Sequence, residues 1–171
     1  MYGRRPDWYF DGVSHGGVIN DIAIHGVDLL SYLFNLKIEK INAARCWNAY
    51  ATEERDFKDS AQLMLTAEGG AGVIADVSYA IPDGAGFGLP YYWQFYVWGE
   101  KGLISFSINT PALFYEKGKT APEAIEDVKT IDYLSDFLAL TEGKDTLLSP
   151  EDVFASARLT LRIQDKADKE A

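Results

Sequence analysis

The chain has 171 residues, 47% hydrophobic and 25% charged, the length and balance of one ordinary globular domain with material for a packed core. Its 26 acidic residues outweigh 16 Lys and Arg to give a net charge of −10, which repels phosphate backbones and anionic lipid and argues against nucleic-acid and membrane partners. One cysteine, Cys46, excludes an intrachain disulfide and a CxxC zinc site, and no apolar run approaches the roughly 18 residues of a membrane span, so a reducing, cytoplasmic setting is expected.

Gly16-Gly17 followed by Val18 through Phe34 predicts a helix, with Asn35 as its terminator. Lys37 to Tyr50, rich in Ile, Ala and Trp, predicts a strand that leads into the charged turn Thr52-Glu53-Glu54-Arg55-Asp56. Ala61, Leu63, Leu65 and Ala67 alternate with polar or flexible neighbours, and Val73, Ala75, Val77 and Tyr79 do the same beyond a Gly-rich turn. This is a hairpin signal. A loop from Pro82 to Pro90 precedes a predicted strand over Tyr91 to Trp98, and the turn Gly99-Glu100-Lys101-Gly102 leads into Leu103 to Ile108, a second hairpin.

Helices close the chain. Ile131 to Leu140 has apolar residues at helical spacing, and Ser149-Pro150-Glu151-Asp152 places a capping hydroxyl, a first-turn proline and two carboxylates before Val153 to Ala167. A helix, several antiparallel strands and then segregated helices predict an α+β fold.

In the aromatic strand, period two sends Tyr91, Trp93, Phe95 and Val97 to one face and Tyr92, Gln94, Tyr96 and Trp98 to the other. Neither set suits bare water, so one face is expected to be covered by a second copy of the chain, with coverage within the chain as the alternative.

On the first helix, at about 100° per residue, Asp21, His25, Asp28 and Tyr32 fall within an arc of roughly 60°, opposite Ile22, Ala23, Leu29, Leu30 and Leu33. Such a stripe is often only a solvated face. A carboxylate one turn from an imidazole, however, favours the imidazolium and suits proton transfer. Metal ligation is a weaker alternative, since Asp21 and His25 would need a third ligand from His15, Asp11 or Asp28. Hydrolase chemistry is a weak alternative too, because it needs a nucleophile on a strained elbow and no G-x-S-x-G occurs. Gly70-Ala71-Gly72-Val73-Ile74-Ala75 satisfies the letter of a dinucleotide fingerprint, yet a strand pattern follows it where a helix is required, so it is expected to be a hairpin turn.

The run from Gly16 to Leu30, with Asp21, His25 and Asp28 at its polar positions, resembles the G-G-G-x-l-x-D-x-G-x-H-x-x-D-l-l segment of the Gfo/Idh/MocA oxidoreductases. Gly69-Gly70-Ala71, Gly99-Glu100-Lys101-Gly102, Asp136-Phe137-Leu138 and Ser149-Pro150-Glu151-Asp152 are similar to later family landmarks in the same order. Ala23, Asn20 and His15 depart from the family pattern. The resemblance implies an α+β fold with a large, mostly antiparallel sheet and helices on one face, residues 1–171 forming a single substrate-binding and oligomerisation domain. The family's N-terminal Rossmann domain, which holds NAD or NADP, and its Glu-Lys-Pro motif have no counterpart here, so no cofactor is expected on this chain itself.

Carried over, the resemblance makes His25 the general acid/base on a sugar or polyol hydroxyl or carbonyl, and Asp21 the residue that hydrogen-bonds substrate and orients His25. Asp28, Trp8 and Arg4 are further candidates for substrate binding, with Arg5 and the loop Gly84 to Gly88 alongside. The plainer reading leaves Arg4 and Arg5 solvated and Trp8 in the core. The expected function is the substrate half of an NAD(P)-dependent sugar or polyol oxidoreductase, inactive without a nucleotide-binding domain. The rival is a non-catalytic module that self-associates through its sheet.

Overall fold

Alternating small and branched apolar residues on three consecutive segments build the first sheet. The computed structural model describes residues 5–81, 84–90, 92–126, 132–147 and 149–170. They fall into two compact units, Met1–Ile81 with Thr146–Ala171, and Pro82–Asp145.

In the first unit, β1 (Ile38–Trp47), β2 (Ser60–Ala67) and β3 (Gly72–Ser78) form an antiparallel sheet in the order β1-β2-β3. The register pairs Leu63 with Ala75 and Leu65 with Val73, so the alternation predicted for this hairpin sends one continuous apolar set to one face. The turn between them is Glu68–Gly70, where Gly69 and Gly70 have φ of 75° and 85°, and Gly72 opens β3. The fingerprint-like glycines are therefore a hairpin turn, as expected.

That apolar face is covered by α4 (Pro150–Lys169) and by the segment after Gly17. Ser149 caps α4 by accepting from the Asp152 N–H at 3.1 Å, and Pro150 occupies its first turn. Ser156, Thr160, Ile163, Gln164 and Ala167 form its buried stripe. Of these, Ile163 and Ala167 pack with Val18, Ile19, Ala23 and Val27 against Ala44, Cys46, Ala61, Leu63 and Leu65. The predicted helix over Val18–Phe34 begins as a π-helical turn, Ile19–Ala23, and continues as α2 (Ile24–Phe34). Asn35 ends it in the left-handed conformation, φ 50°, as its place in the sequence suggests.

A second, aromatic cluster of Tyr9, Ala51 and Phe57 is joined by Phe10 and Tyr79. It rests on Asp59, buried in the fold, whose carboxylate accepts from the N–H groups of Ala49, Tyr50 and Ala51 and from the Ser60 hydroxyl at 2.6–2.8 Å. These bonds outweigh the upward pull of burial and hold the carboxyl below its ordinary range.

The second unit holds β4 (Phe95–Gly99), β5 (Gly102–Ser107), β6 (Thr110–Glu116) and β7 (Glu123–Ala124), antiparallel in that order, and α3 (Tyr133–Thr141). Gly102, at φ 149°, lies so close to the Tyr115 carbonyl that a Cβ would meet it at 2.1 Å, which fixes glycine in this turn. The predicted aromatic strand is shorter than its hydrophobic run. Tyr91 lies outside the described residues, Trp93 has φ 53°, and pairing starts only at Phe95. Within β4 the predicted phase holds: Phe95 stacks on Phe106 at 4.9 Å, while Tyr96 and Trp98 are 53% and 75% exposed on the other face. The expected α+β class with antiparallel strands is what the structure shows, its strands divided between sheets of three and four.

Candidate active site

The site grows from a widened helical turn. Between Ile19 and Ala23 the backbone closes i→i+5, the Ile24 N–H reaching the Ile19 carbonyl, so each residue advances by less than the 100° of an α-helix. Gly16 and Gly17, at φ 75° and 90°, turn the chain into this segment, and the Asn20 amide returns to the Gly16 carbonyl at 2.7 Å. Asp21 sits in the middle of the turn.

Three other segments bring side chains to it. A short 3-10 helix, Asp7–Phe10, carries Tyr9. The single turn α1 (Gly12–His15) carries His15 at its end, capped by Asp11, which accepts from the Val13 N–H and the Ser14 hydroxyl. Tyr79 follows β3, its N–H bonded to the Asp59 carbonyl at 2.9 Å. The Tyr9 hydroxyl donates to Asp21 Oδ2 at 2.7 Å and the Tyr79 hydroxyl to the same oxygen at 2.5 Å. His15 Nε2 lies 3.0 Å from the Tyr79 oxygen and 3.7 Å from Asp21 Oδ2. Arg5 completes the group, its guanidinium 4.2 Å above the Tyr9 ring and 5.6 Å from that of Tyr79.

Electrostatics follow from this packing. Burial works against the Asp21 anion, but the hydroxyl donors Tyr79 and Tyr9, then His15, overcome it and hold the carboxyl below its ordinary range. The cost appears on the donors. Burial first, then the neighbouring anion, pushes the Tyr9 hydroxyl up to about 12 and Tyr79 higher still. His15, with a side chain only 3% exposed and its ring 4.3 Å from that of Tyr9, is pulled below its ordinary value by burial, against the opposing pull of Asp21. Because the Tyr79 proton is committed to Asp21, the consistent assignment is a neutral His15 that donates from Nε2 to the Tyr79 oxygen.

Of the residues singled out by sequence, Asp21 stands at the centre of this cluster with its side chain 41% exposed. The imidazole set against it is that of His15, a residue the sequence suggested only as a spare metal ligand. His25 lies in the first turn of α2 and is exposed. Asp28 is half-buried and accepts from the Ser156 hydroxyl of α4 at 2.9 Å. Trp8 is 54% exposed beside Tyr9, so its plainer core reading is corrected, while Arg4 lies outside the described residues. Sequence reasoning missed Tyr9 and Tyr79, although period two already places Tyr79 on the apolar side of its strand with Val77. Among the described residues no group of three or more His, Cys, Asp or Glu is arranged to hold a metal ion. The glycines of the β2–β3 turn lead into a strand and offer no helix N-terminus to a dinucleotide's phosphates.

No helix among the described residues is long and apolar enough to cross a membrane. No curated protein matches the chain. Solved structures share its fold: an assigned oxidoreductase of Thermotoga maritima (19% identity, TM-score 0.85, 99% of this chain and 50% of that one), and aldose-aldose oxidoreductase of Caulobacter crescentus in complex with glycerol (16%, 0.74, 96% and 50%). A third is an oxidoreductase of Agrobacterium radiobacter with NAD+, L-tartaric acid and magnesium (19%, 0.67, 90% and 48%). The chain thus spans about half the length of these proteins, and at such identities the likeness speaks to the fold alone. The family model described as the GFO/IDH/MocA C-terminal domain matches residues 1–105, and the chain belongs to that family.

Proposed function

We propose that this chain is the substrate-binding half of an NAD(P)-dependent oxidoreductase acting on a sugar or polyol, with His25 as general acid/base and Asp21 as the acceptor that holds the substrate hydroxyl. The observation that carries the reading is an ionised, partly exposed Asp21 carboxylate one helical turn before His25, in a chain of this family. Glycerol and L-tartaric acid in the complexes of two structural relatives are hydroxyl-bearing ligands of the same kind.

In the intact enzyme a nicotinamide dinucleotide, held outside the glycine turn of this chain, would supply the hydride acceptor or donor. The residues of this chain handle the proton. When an alcohol is oxidised its hydroxyl proton passes to the His25 imidazole, and on reduction the same proton returns to the carbonyl oxygen, a step to which a positioned imidazole contributes about 10²- to 10⁴-fold.

The test is NAD(P)-linked turnover of a polyol and aldose panel by the protein joined to a nucleotide-binding domain. Turnover that falls at least 10²-fold in His25→Ala is expected. Undiminished turnover in that variant would overturn the assignment, and the chain alone should be silent.

The exposed aromatic face of the four-stranded sheet favours a second role. Tyr96 and Trp98 share it with Leu103, Leu113 and Tyr115 by register, and we propose that a second copy of the chain covers it. Sedimentation of Trp98→Lys should show a smaller species than the parent chain, and an unchanged species would remove this face from consideration.

A further inference from the structure

We propose that Tyr9 and Tyr79 are positioning residues for Asp21, with His15 as the donor behind Tyr79, and that together they confine Asp21 to accepting a hydrogen bond from substrate at Oδ1. This rests on the reading of Asp21 as a substrate ligand.

A carboxylate oxygen accepts about two hydrogen bonds. Asp21 Oδ2 already has two, from the Tyr9 and Tyr79 hydroxyls, with His15 Nε2 third in line at 3.7 Å. Every hydrogen bond shown to the Asp21 side chain among the described residues ends on Oδ2, so Oδ1 keeps its acceptor capacity on a side chain that is two-fifths exposed. The donors cannot easily move. Tyr9 is 5% exposed, Tyr79 stacks on Phe57 at 5.2 Å, and the His15 ring lies 4.3 Å from Tyr9 and 6.0 Å from Tyr79. The Asp59 carbonyl anchors the Tyr79 backbone.

The chain His15 Nε2–H to Tyr79 O–H to Asp21 Oδ2 therefore runs in one direction, with Tyr9 as a parallel donor. It fixes the carboxylate plane and keeps the group anionic. Such a group binds and orients a hydroxyl, and leaves the moving proton to the imidazole of the catalytic pair. The charged and titratable groups facing it are Arg5, Tyr9, His15 and Tyr79.

Tyr→Phe substitutions remove only the donors and retain the ring contacts. The Asp21 carboxyl carbon is followed by NMR through a pH titration of the chain as it stands, in the parent, Tyr79→Phe, Tyr9→Phe and the double variant, with Asp59 as internal control. Asp21 should titrate at higher pH in each variant, most in the double, while Asp59 stays in place and reports an intact fold. An Asp21 titration unmoved in the double variant would overturn the proposal, whatever the activity.

In the protein joined to a nucleotide-binding domain, Tyr79→Phe should lower kcat/KM about tenfold, and Asp21→Asn should cost less in that background than in the parent. If Asp21 titrates higher but kcat/KM is unchanged, the positioning role is overturned. If His25→Ala is fully active while the Asp21 titration moves as expected, the wider functional reading fails and the hydrogen-bonded cluster around Asp21 stands.

Discussion

Ser156, on the buried stripe of α4, donates its hydroxyl to Asp28 Oδ1 of α2 at 2.9 Å across 128 positions of sequence. A residue that the sequence places on a polar, substrate-facing stripe is thereby engaged in holding two helices together. Ser156→Ala leaves a half-buried carboxylate short of a donor and should lower stability by about 1–2 kcal/mol in urea unfolding. A substrate role for Asp28 would show differently, as a raised KM in Asp28→Asn.

Gly17 faces Gln164 so closely that a Cβ would lie 2.3 Å from Oε1 and 2.6 Å from Cδ, at a φ of 90° that disfavours any side chain. Gln164 is buried, and its amide donates to Asp168 Oδ1 at 2.9 Å and contacts Cys46 Sγ at 3.7 Å, so it has little room to withdraw. Gly17→Ala should cost about 2 kcal/mol or more. In a Gln164→Ala background the clash is gone and only the backbone strain, about 1–2 kcal/mol, should remain. Thermal unfolding of the four proteins in that cycle measures the coupling.

His15 makes stability depend on pH in a defined direction. Its burial depresses the native value below the ordinary 6.5, so the unfolded chain takes up a proton near 6.5 that the folded chain refuses until lower pH. Stability should be flat between about pH 7.5 and 8, below the range in which the unfolded chain ionises the raised Cys46 and tyrosine groups, and fall as pH drops through 6.5 toward the native value. His15→Gln, which retains a donor for Tyr79, should flatten that decline. The carboxyls of Asp21 and Asp59 are depressed as well, so their contribution is complete above 3.8 and is lost only as pH falls below it. Urea midpoints between pH 8 and pH 3 separate the two windows.

The fold was legible where one face is buried and one is wet. Ala61, Leu63, Leu65 and Ala67 opposite Val73, Ala75 and Val77 announce their hairpin by alternation, and Ser149-Pro150 announces α4 through cap chemistry that needs no tertiary partner. The strand β6 was not legible. Leu113-Phe114-Tyr115 is continuously apolar behind Pro111, and a run without period gives no face to read. In the site, Asp21 was found through its helical spacing, but its immediate partners were not. A π-turn between Ile19 and Ala23 changes the angular step on which that spacing relies, and Tyr9, His15 and Tyr79 meet Asp21 only through tertiary packing. Trp8, the aromatic candidate for substrate binding, is 54% exposed, and it is its neighbour Tyr9 that is buried against the carboxylate.

Cys46 lies on the face of β1 turned toward α4, 8% exposed, and burial pushes its thiol up to about 11, with Gln164 partly opposing the shift. At pH 8 such a thiol is ionised to about one part in 10³, and reagent has little access to it, so both terms of thiolate reactivity are small. A thiol-specific reagent should leave the native chain unlabelled over hours and label it stoichiometrically in urea. Gln164→Ala strips cover from the sulfur while leaving β1 paired to β2, and labelling of that variant should accelerate under native conditions, at pH and temperature where unfolding measurements show both proteins folded. If instead parent and variant label at one rate equal to that of the unfolded chain, Cys46 is not held between β1 and α4, and the packing that carries Gly17 and Asp21 would need to be drawn again.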